Sequence, residues 1–435
     1  MRTTDPAHRE AVQYFWQLLE ARGYIYAGKH EGWYSVSDET FYPITQTQKS
    51  ICPATGNPIR VSTETGRQVT WFSETNYHFR LSSLAPQLLA FYEQNPDFLL
   101  PASRHAEIVA EVSAGLTDLS ISRPIDRLSW GIPVPSDAGQ TIYVWLDALT
   151  NYLTAAGFPF TPGRSQELGW PADLHVIGKD ITKFHCIYFP AFLLALDLPL
   201  PRQILAHAHW TLGHKKMSKT EGNVVNPFFA LKRFGVDAMR YYMARDGGIQ
   251  NDADYSNEYI IERYKKALQS GFGNLANRVC GKAFDISSGV AASRAGLGGA
   301  WDLDEHDQLL ISTLRDTAAA VNLKMQVYDV PNAVKTIEEL MVQANRYITN
   351  VEPWYLKKPE EKALQCKRIY LGAEAVRISA ILLQPFMPER AKGLLDQMGV
   401  SEERRGFEWS EFAADDAFGK GSNDQKWTPF PPLSE

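Results

Sequence analysis

Residues His175–His185 read "HVIGKDITKFH", and the way this stretch folds decides the architecture around it. A β-branched run ends in Gly178-Lys179-Asp180 and passes into a segment with helical spacing. That order puts a small residue and a carboxylate at the carboxyl end of a strand, where open α/β folds hold their ligands. Gly178 lets a nucleoside come close to the backbone, and Asp180 has the acceptor oxygens that ribose hydroxyls need. Ile181 and His185 are four apart and share a helix face. The same residues also describe a tight βα turn in which Asp180 caps the helix and His185 is a satisfied core side chain. Taken alone, the stretch leaves both readings open.

The flanking sequence points to a parallel sheet. Between 120 and 245, strand-like runs ("TIYVWLDAL", "DLHVIGKD", "QILAHAHWTL") alternate with a helical one ("ITKFHCIYFPAFLLAL"), as βα units do. Upstream, residues 1–25 predict an amphipathic helix ended near Gly23, with Val12, Phe15, Leu18 and Leu19 near helical spacing. From 26 to 85, short aromatic and β-branched runs between turn residues predict a small β-rich module. Past about residue 255 the strand signal stops, and four successive amphipathic segments read as a helical bundle. The polar, Pro-rich tail after 405 reads as loop.

Composition narrows the function classes. A net charge of −6 excludes a global basic field, so any nucleic-acid partner must be read through local patches. The four cysteines, Cys52, Cys186, Cys280 and Cys366, lie far apart and include no Cys-x-x-Cys. A disulfide framework and a zinc knuckle are both unsupported by that spacing. No apolar run is long enough to span a bilayer, and the first residues resemble neither a signal nor a transit peptide.

Three further stretches carry candidate chemistry. In "YVWLDALTNY" (143–152), a helix beginning near Asp147 stacks Ala148 and Tyr152 on one face with Trp145 at its mouth. Two rings flanking an alanine make a slot for a slim, polarisable side chain, or simply a core edge. "GHKKMSKTEGNVVNP" (213–227) crowds Lys215, Lys216 and Lys219 into a short loop, after a strand-like run carrying His207, His209 and Trp210. Such lysines supply charge where phosphate charge builds up in a transition state, or form a solvated hairpin. In the helical half, Asn274 and Arg278 share a face in "NLANR", and Trp354 in "NVEPW" offers a ring for stacking.

"VWLDALTNY", "IGKDITKFH" and "KMSKT" followed by "EGNVVNP", in this order and spacing, resemble the methionyl-tRNA synthetase family of the class I aminoacyl-tRNA synthetases. The resemblance extends through "GWYSVSDE", "ETNYHFRLS" and "LSWGIPVP", and so covers essentially the whole chain. It implies a Rossmann-type α/β catalytic domain with a β-rich insertion, followed by an all-α anticodon-binding bundle. The implied boundaries are 1–120 (first helix and insertion), 121–245 (second Rossmann half), 246–265 (stem-contact connection), 266–405 (anticodon domain) and 406–435 (tail). It implies a methionine–tRNA ligase using methionine, ATP with Mg²⁺, and tRNA(Met). Lys219 and Lys216 are the implied catalytic pair, and Gly178, Asp180, His207, Trp210 and Lys219 the ATP site. Trp145, Ala148, Tyr152, Ile181 and His185 match the methionine pocket; Asn274, Arg278 and Trp354 match the readers of the CAU anticodon. With only Cys52 left in "SICPATGNPI", no structural zinc is expected. A monomer in the mitochondrial matrix, with cytoplasm as the alternative, is the expected setting.

One departure stands out. The family's His-Ile-Gly-His motif, its first strand and the acidic residue for the methionine amino group are absent from these residues. A missing N-terminal segment is therefore expected, and with it an incomplete phosphate site in the chain as it stands. The competing hypothesis is a non-catalytic tRNA-binding fragment or paralogue; an intact amino-acid pocket and lysine loop argue against it, since a binding module needs neither.

Overall fold

Pro6 and Gly23 bracket the first helix, α1 (Pro6–Ala21). Proline is tolerated in a first turn, where its missing N–H has no helical partner to lose, and Gly23 adopts the left-handed φ of +76° that ends the helix. Between them Ala11, Val12, Phe15, Trp16 and Leu19 bury one face. This is the amphipathic helix that the periodicity predicts. The structure, a computed structural model, describes all residues except 39, 161–166, 168, 218–221, 282–283, 421–427 and 434–435. Its contacts divide the chain into two units, Met1–His207 and Ala208–Glu435.

In the first unit, β1 (Ile25–Ser35) pairs antiparallel with β4 (Gln68–Phe79), from Ile25↔Phe79 to Tyr34↔Thr70. The shorter β2 (Thr47–Ile51) and β3 (Pro58–Ser62) extend that sheet. Cys52 lies in the β2–β3 turn, where its N–H donates to the Asn57 carbonyl and its own carbonyl accepts from Gly56. A separate parallel sheet has the order β6 (His175–Gly178), β7 (Ile204–His207), β5 (Leu99–Leu100). Helix α2 (Val144–Ala155) and the helical run through a π turn (Phe184–Tyr188) into α3 (Phe189–Ala195) bury Leu146, Leu149, Leu153, Ile187 and Phe192 in one core with β6 and β7.

Two strand expectations are corrected here. "TIYVWLDAL" is a strand only to Ile142; Tyr143 is extended (φ −70°, ψ 141°) and caps α2, which starts at Val144 rather than near Asp147. Leu146, Leu149 and Leu153 recur at helical spacing on the buried face, and that period wins over the β-branched start. "ILAHAHWTL" is two strands, not one. β7 ends at His207, the Ala208 N–H turns to the Ile249 carbonyl, and Trp210 opens β8 (Trp210–Leu212) in a different sheet.

The second unit begins with that sheet, in which β8 lies between β9 (Lys215–Lys216) and β10 (Ala253–Asp254), with α4 (Val236–Asp246) connecting. The helices follow: a rod from 257 to 279 ending in α5 (Asn274–Val279), then α6 (Glu305–Gln326), α7 (Val330–Val351) and α8 (Lys362–Leu383). Residues Ile369–Leu383 of α8 are buried on every side, as befits the central helix of a bundle. The tail is irregular, as its composition predicts, yet it is built into the core. Phe418 and Phe430 are buried, and the Tyr264 hydroxyl donates to the Pro431 carbonyl.

A buried ion pair secures that tail. Arg377 donates to both carboxylate oxygens of Glu374 (2.6 and 2.9 Å) and to the Trp409 and Glu411 carbonyls, while the Ala413 N–H donates to Glu374 (2.7 Å). Both side chains are fully buried. Removing one partner leaves the other charge buried and alone, which costs about 3–5 kcal/mol. Glu374→Ala is therefore expected to destabilise the helical unit by about that amount in urea unfolding followed by circular dichroism. Replacing both residues with leucine and methionine is expected to recover most of the loss; a loss below about 1 kcal/mol for the single variant contradicts the assignment.

Candidate functional site

In the first unit, α2 and the π turn bring three of the five predicted methionine-site residues, Ile181, His185 and Tyr152, into one chain of contacts. The Ile181 carbonyl is 3.0 Å from His185 Nδ1, and the Tyr152 hydroxyl is 2.8 Å from His185 Nε2. A carbonyl only accepts, so Nδ1 carries the ring proton. Burial holds the imidazole below its usual pKa, partly opposed by the Ile181 hydrogen bond, and keeps it neutral. Nε2 is then a bare acceptor, and Tyr152 donates to it. Ala148 lies one turn before Tyr152 on the same face of α2. Trp145 stacks on Phe184 from the π turn, with centroids 3.5 Å apart and planes within 8°. It stands inside the first turn of α2, with one face covered by Phe184. π turns recur at functional sites, and this one carries both Phe184 and His185.

The predicted ATP-site residues of the same unit, Gly178, Asp180 and His207, collect at the carboxyl ends of the parallel strands. Gly178 and His207 are register partners at the ends of β6 and β7, and the exposed Asp180 follows in the next turn. This is the position at which α/β sheets bind ligands.

Sequence reasoning missed two supports. His8 on α1 is buried and bridges the back of α2, Nε2 to Asp147 (2.7 Å) and Nδ1 to Thr154 (2.9 Å). Asp147 and Thr154 are seven apart, on the side of α2 opposite Trp145, Ala148 and Tyr152. No motif announces a histidine so far away in sequence; an apolar helix face interrupted by one His was the only available signal. The other support is His175, which stacks on the Tyr152 ring at 4.3 Å.

In the second unit, Gly213 and His214 both have left-handed φ (59° and 61°) and make the two-residue turn between β8 and β9. Asp254 on β10 pins that turn, accepting from Thr211 Oγ1 (2.6 Å) and the His214 N–H (2.9 Å). Those two hydrogen bonds hold its carboxyl below the usual range. Lys216 ends the hairpin exposed, and its carbonyl accepts from Asn223. The Trp210 ring packs on Tyr242 at 5.3 Å. Lys219 lies outside the described residues.

The three predicted RNA-reading residues meet at one place on the bundle. Asn274 and Arg278 of α5 are held one turn apart by Asn345 (3.4 Å) and Thr349 (3.0 Å), themselves one turn apart on α7. Arg278 also lies 5.0 Å from the centroid of the half-buried Trp354 ring.

Acid should expose the cost of burying the ring behind the pocket. Burial, with a smaller contribution from nearby His185, pushes His175 from its usual 6.5 to about 4, so the folded state prefers it neutral. Its contribution to stability is complete above the unfolded value and declines as the pH falls from about 6.5 to about 4. His175→Phe, which keeps the stack without the titration, is expected to flatten the fall in melting temperature over that window. An unchanged profile contradicts the assignment.

Residues 1–280 match the family of tRNA synthetases class I (M), and residues 297–422 match the anticodon binding domain of methionyl tRNA ligase. A probable mitochondrial methionine–tRNA ligase of Neurospora crassa is 50% identical over 426 residues, covering 96% of this chain and 68% of the relative. The methionine–tRNA ligase of Mycobacterium leprae is 41% identical over 411 residues, covering 94% and 74%. The crystal structure of Mycobacterium tuberculosis methionyl-tRNA synthetase bound by methionyl-adenylate superposes with a TM-score of 0.86 at 37% identity, covering 99% of this chain and 82% of the other. An α/β Rossmann-type catalytic part and a helical anticodon-binding part, joined in that order, make this chain a member of the methionyl-tRNA synthetase family of class I aminoacyl-tRNA synthetases.

Proposed function

We infer that the chain is a methionine–tRNA ligase acting in translation. A methionine carboxylate oxygen attacks the α-phosphorus of ATP, the α–β bridging P–O bond breaks, and pyrophosphate leaves. The terminal ribose hydroxyl of tRNA(Met) then attacks the carbonyl carbon of the adenylate, and AMP departs. The observation that carries the reading is the neutral Ile181–His185–Tyr152 relay beside Trp145 and Ala148, within a chain of this family.

In the proposed pocket the polarisable thioether packs against the Tyr152 and Trp145 rings. The Tyr152 proton is committed to His185, so no charge or free proton donor invites an ionised side chain. Gly178, Asp180, His207 and the backbone at Trp210 are the proposed adenosine contacts. Lys219, assisted by Lys216, is proposed to stabilise the charge that builds on the phosphates, and Mg²⁺ to accompany ATP as part of the substrate. Asn274, Arg278 and Trp354 are proposed to read the CAU anticodon. A zinc-free insertion is proposed, because "SICPATGNPI" keeps a single cysteine, Cys52.

The domain limits proposed are 1–120, 121–245, 246–265, 266–405 and 406–435. We place the enzyme in the mitochondrial matrix as a monomer. The fungal relatives from Neurospora crassa and Schizosaccharomyces pombe are named mitochondrial, at 50% and 42% identity, while bacterial ligases also match.

The test is methionine-dependent exchange of pyrophosphate into ATP, with protein expressed from its full coding sequence. Lys219→Ala is expected to slow adenylate formation by roughly 2–4 kcal/mol, the range for one preorganised electrostatic donor. Methionine affinity should hardly move. Equal losses in affinity and rate make the loop structural and contradict its role.

A further inference from the structure

A cleft of about 180 Å³ opens on the bundle between α6 and α7. Leu309 and Leu310 give it an apolar side, and His306, Gln343, Arg346 and Asn350 surround it. None of those four polar side chains has a hydrogen-bond or ion-pair partner among the described residues. Three neighbouring polar side chains of α7 are used: Asn345 donates to the Gly271 carbonyl and contacts Asn274, Thr349 accepts from Arg278, and the Tyr347 hydroxyl donates to Asp307. Amides and imidazole that can donate or accept, a guanidinium that only donates, and leucine surface for a ring face are what a planar heteroaromatic group with a hydrogen-bonding edge requires.

The position of the cleft narrows the class of ligand. Arg346 follows Asn345 and Asn350 follows Thr349, so each cleft residue lies about 100° around α7 from a residue that supports Asn274 or Arg278. The cleft therefore flanks the cluster proposed to read the anticodon, on the same helix. Bases in single-stranded loops are splayed out and read on their edges by such groups.

We propose that the His306–Arg346–Asn350 cleft is a nucleobase subsite for one nucleotide of the tRNA anticodon arm outside the CAU triplet. The inference rests on the reading of Asn274, Arg278 and Trp354 as anticodon contacts. It assigns this face of α7 to positioning the loop, so that affinity depends on a base that carries no part of the anticodon.

The experiment measures binding of the full chain to the tRNA(Met) anticodon stem-loop and to versions with one abasic nucleotide at each loop position outside the triplet. Arg346→Ala and Asn350→Ala are each expected to weaken the intact stem-loop by roughly ten-fold, the scale of one lost base contact. Arg346→Lys should weaken it as much as alanine, because lysine lacks the planar fork. At one abasic position, and only there, the variants should cost nothing further. An equal loss on every abasic loop marks a phosphate contact and overturns the proposal, as does unchanged binding to the intact loop. Adenosine monophosphate binding as tightly as the stem-loop marks a small-molecule site and also overturns it. Trp354→Ala runs in parallel. If it weakens CAU binding while Arg346→Ala does not, the subsite alone fails; if it leaves the preference for CAU intact, the anticodon reading beneath it fails.

Discussion

The Ile181 carbonyl fixes which nitrogen of His185 bears a proton, and the Tyr152 hydroxyl has no choice but to donate to the other. Much of the first unit serves that arrangement. Burial suppresses the imidazolium, the π turn presents His185 beside Phe184, and Phe184 in turn stacks on Trp145. His175 stacks behind Tyr152 and is itself neutral for the same reason, desolvation. Two histidines and a tyrosine thus form a wall that carries no charge, which suits the uncharged thioether side chain proposed to pack there.

Both units use helix periodicity in the same way, with the candidate site residues on one face and an orienting partner behind or beside it. On α2, Trp145, Ala148 and Tyr152 face one way, while Asp147 and Thr154 are held from the back by His8. On α5, Asn274 and Arg278 are spaced by one turn, and Asn345 and Thr349 match that spacing on α7. The lysine hairpin has its own fixture in Asp254, which holds the turn through Thr211 and the His214 backbone. In each case the orienting residue limits rotamers that would otherwise have to be ordered when a ligand binds.

The helices and the motif-bearing residues were legible because they follow local rules. Gly23 stops α1 through its left-handed φ, and Gly178 closes β6 where a strand must turn toward a helix. That Asn274 and Arg278 share a helix face was legible from four-residue spacing, although spacing does not predict that Arg278 lies over Trp354. What was not legible is non-local. His8 reaches its partners across more than a hundred residues, and Asp254 meets the hairpin from forty residues downstream. "ILAHAHWTL" reads as one strand because nothing in its period shows that Ala208 will bond to Ile249. The tail reads as loop from its prolines, while the Arg377–Glu374 pair that anchors it belongs to another segment.

The protonation of His185 decides whether the wall formed with Tyr152 and His175 is neutral. Nitrogen-15 NMR of histidine-labelled protein, followed through a methionine titration at neutral pH, reads it directly. A neutral ring protonated at Nδ1, with Nε2 shifting as methionine is added, is the result predicted. An imidazolium, an Nε2-protonated ring, or a His185 signal indifferent to methionine contradicts it.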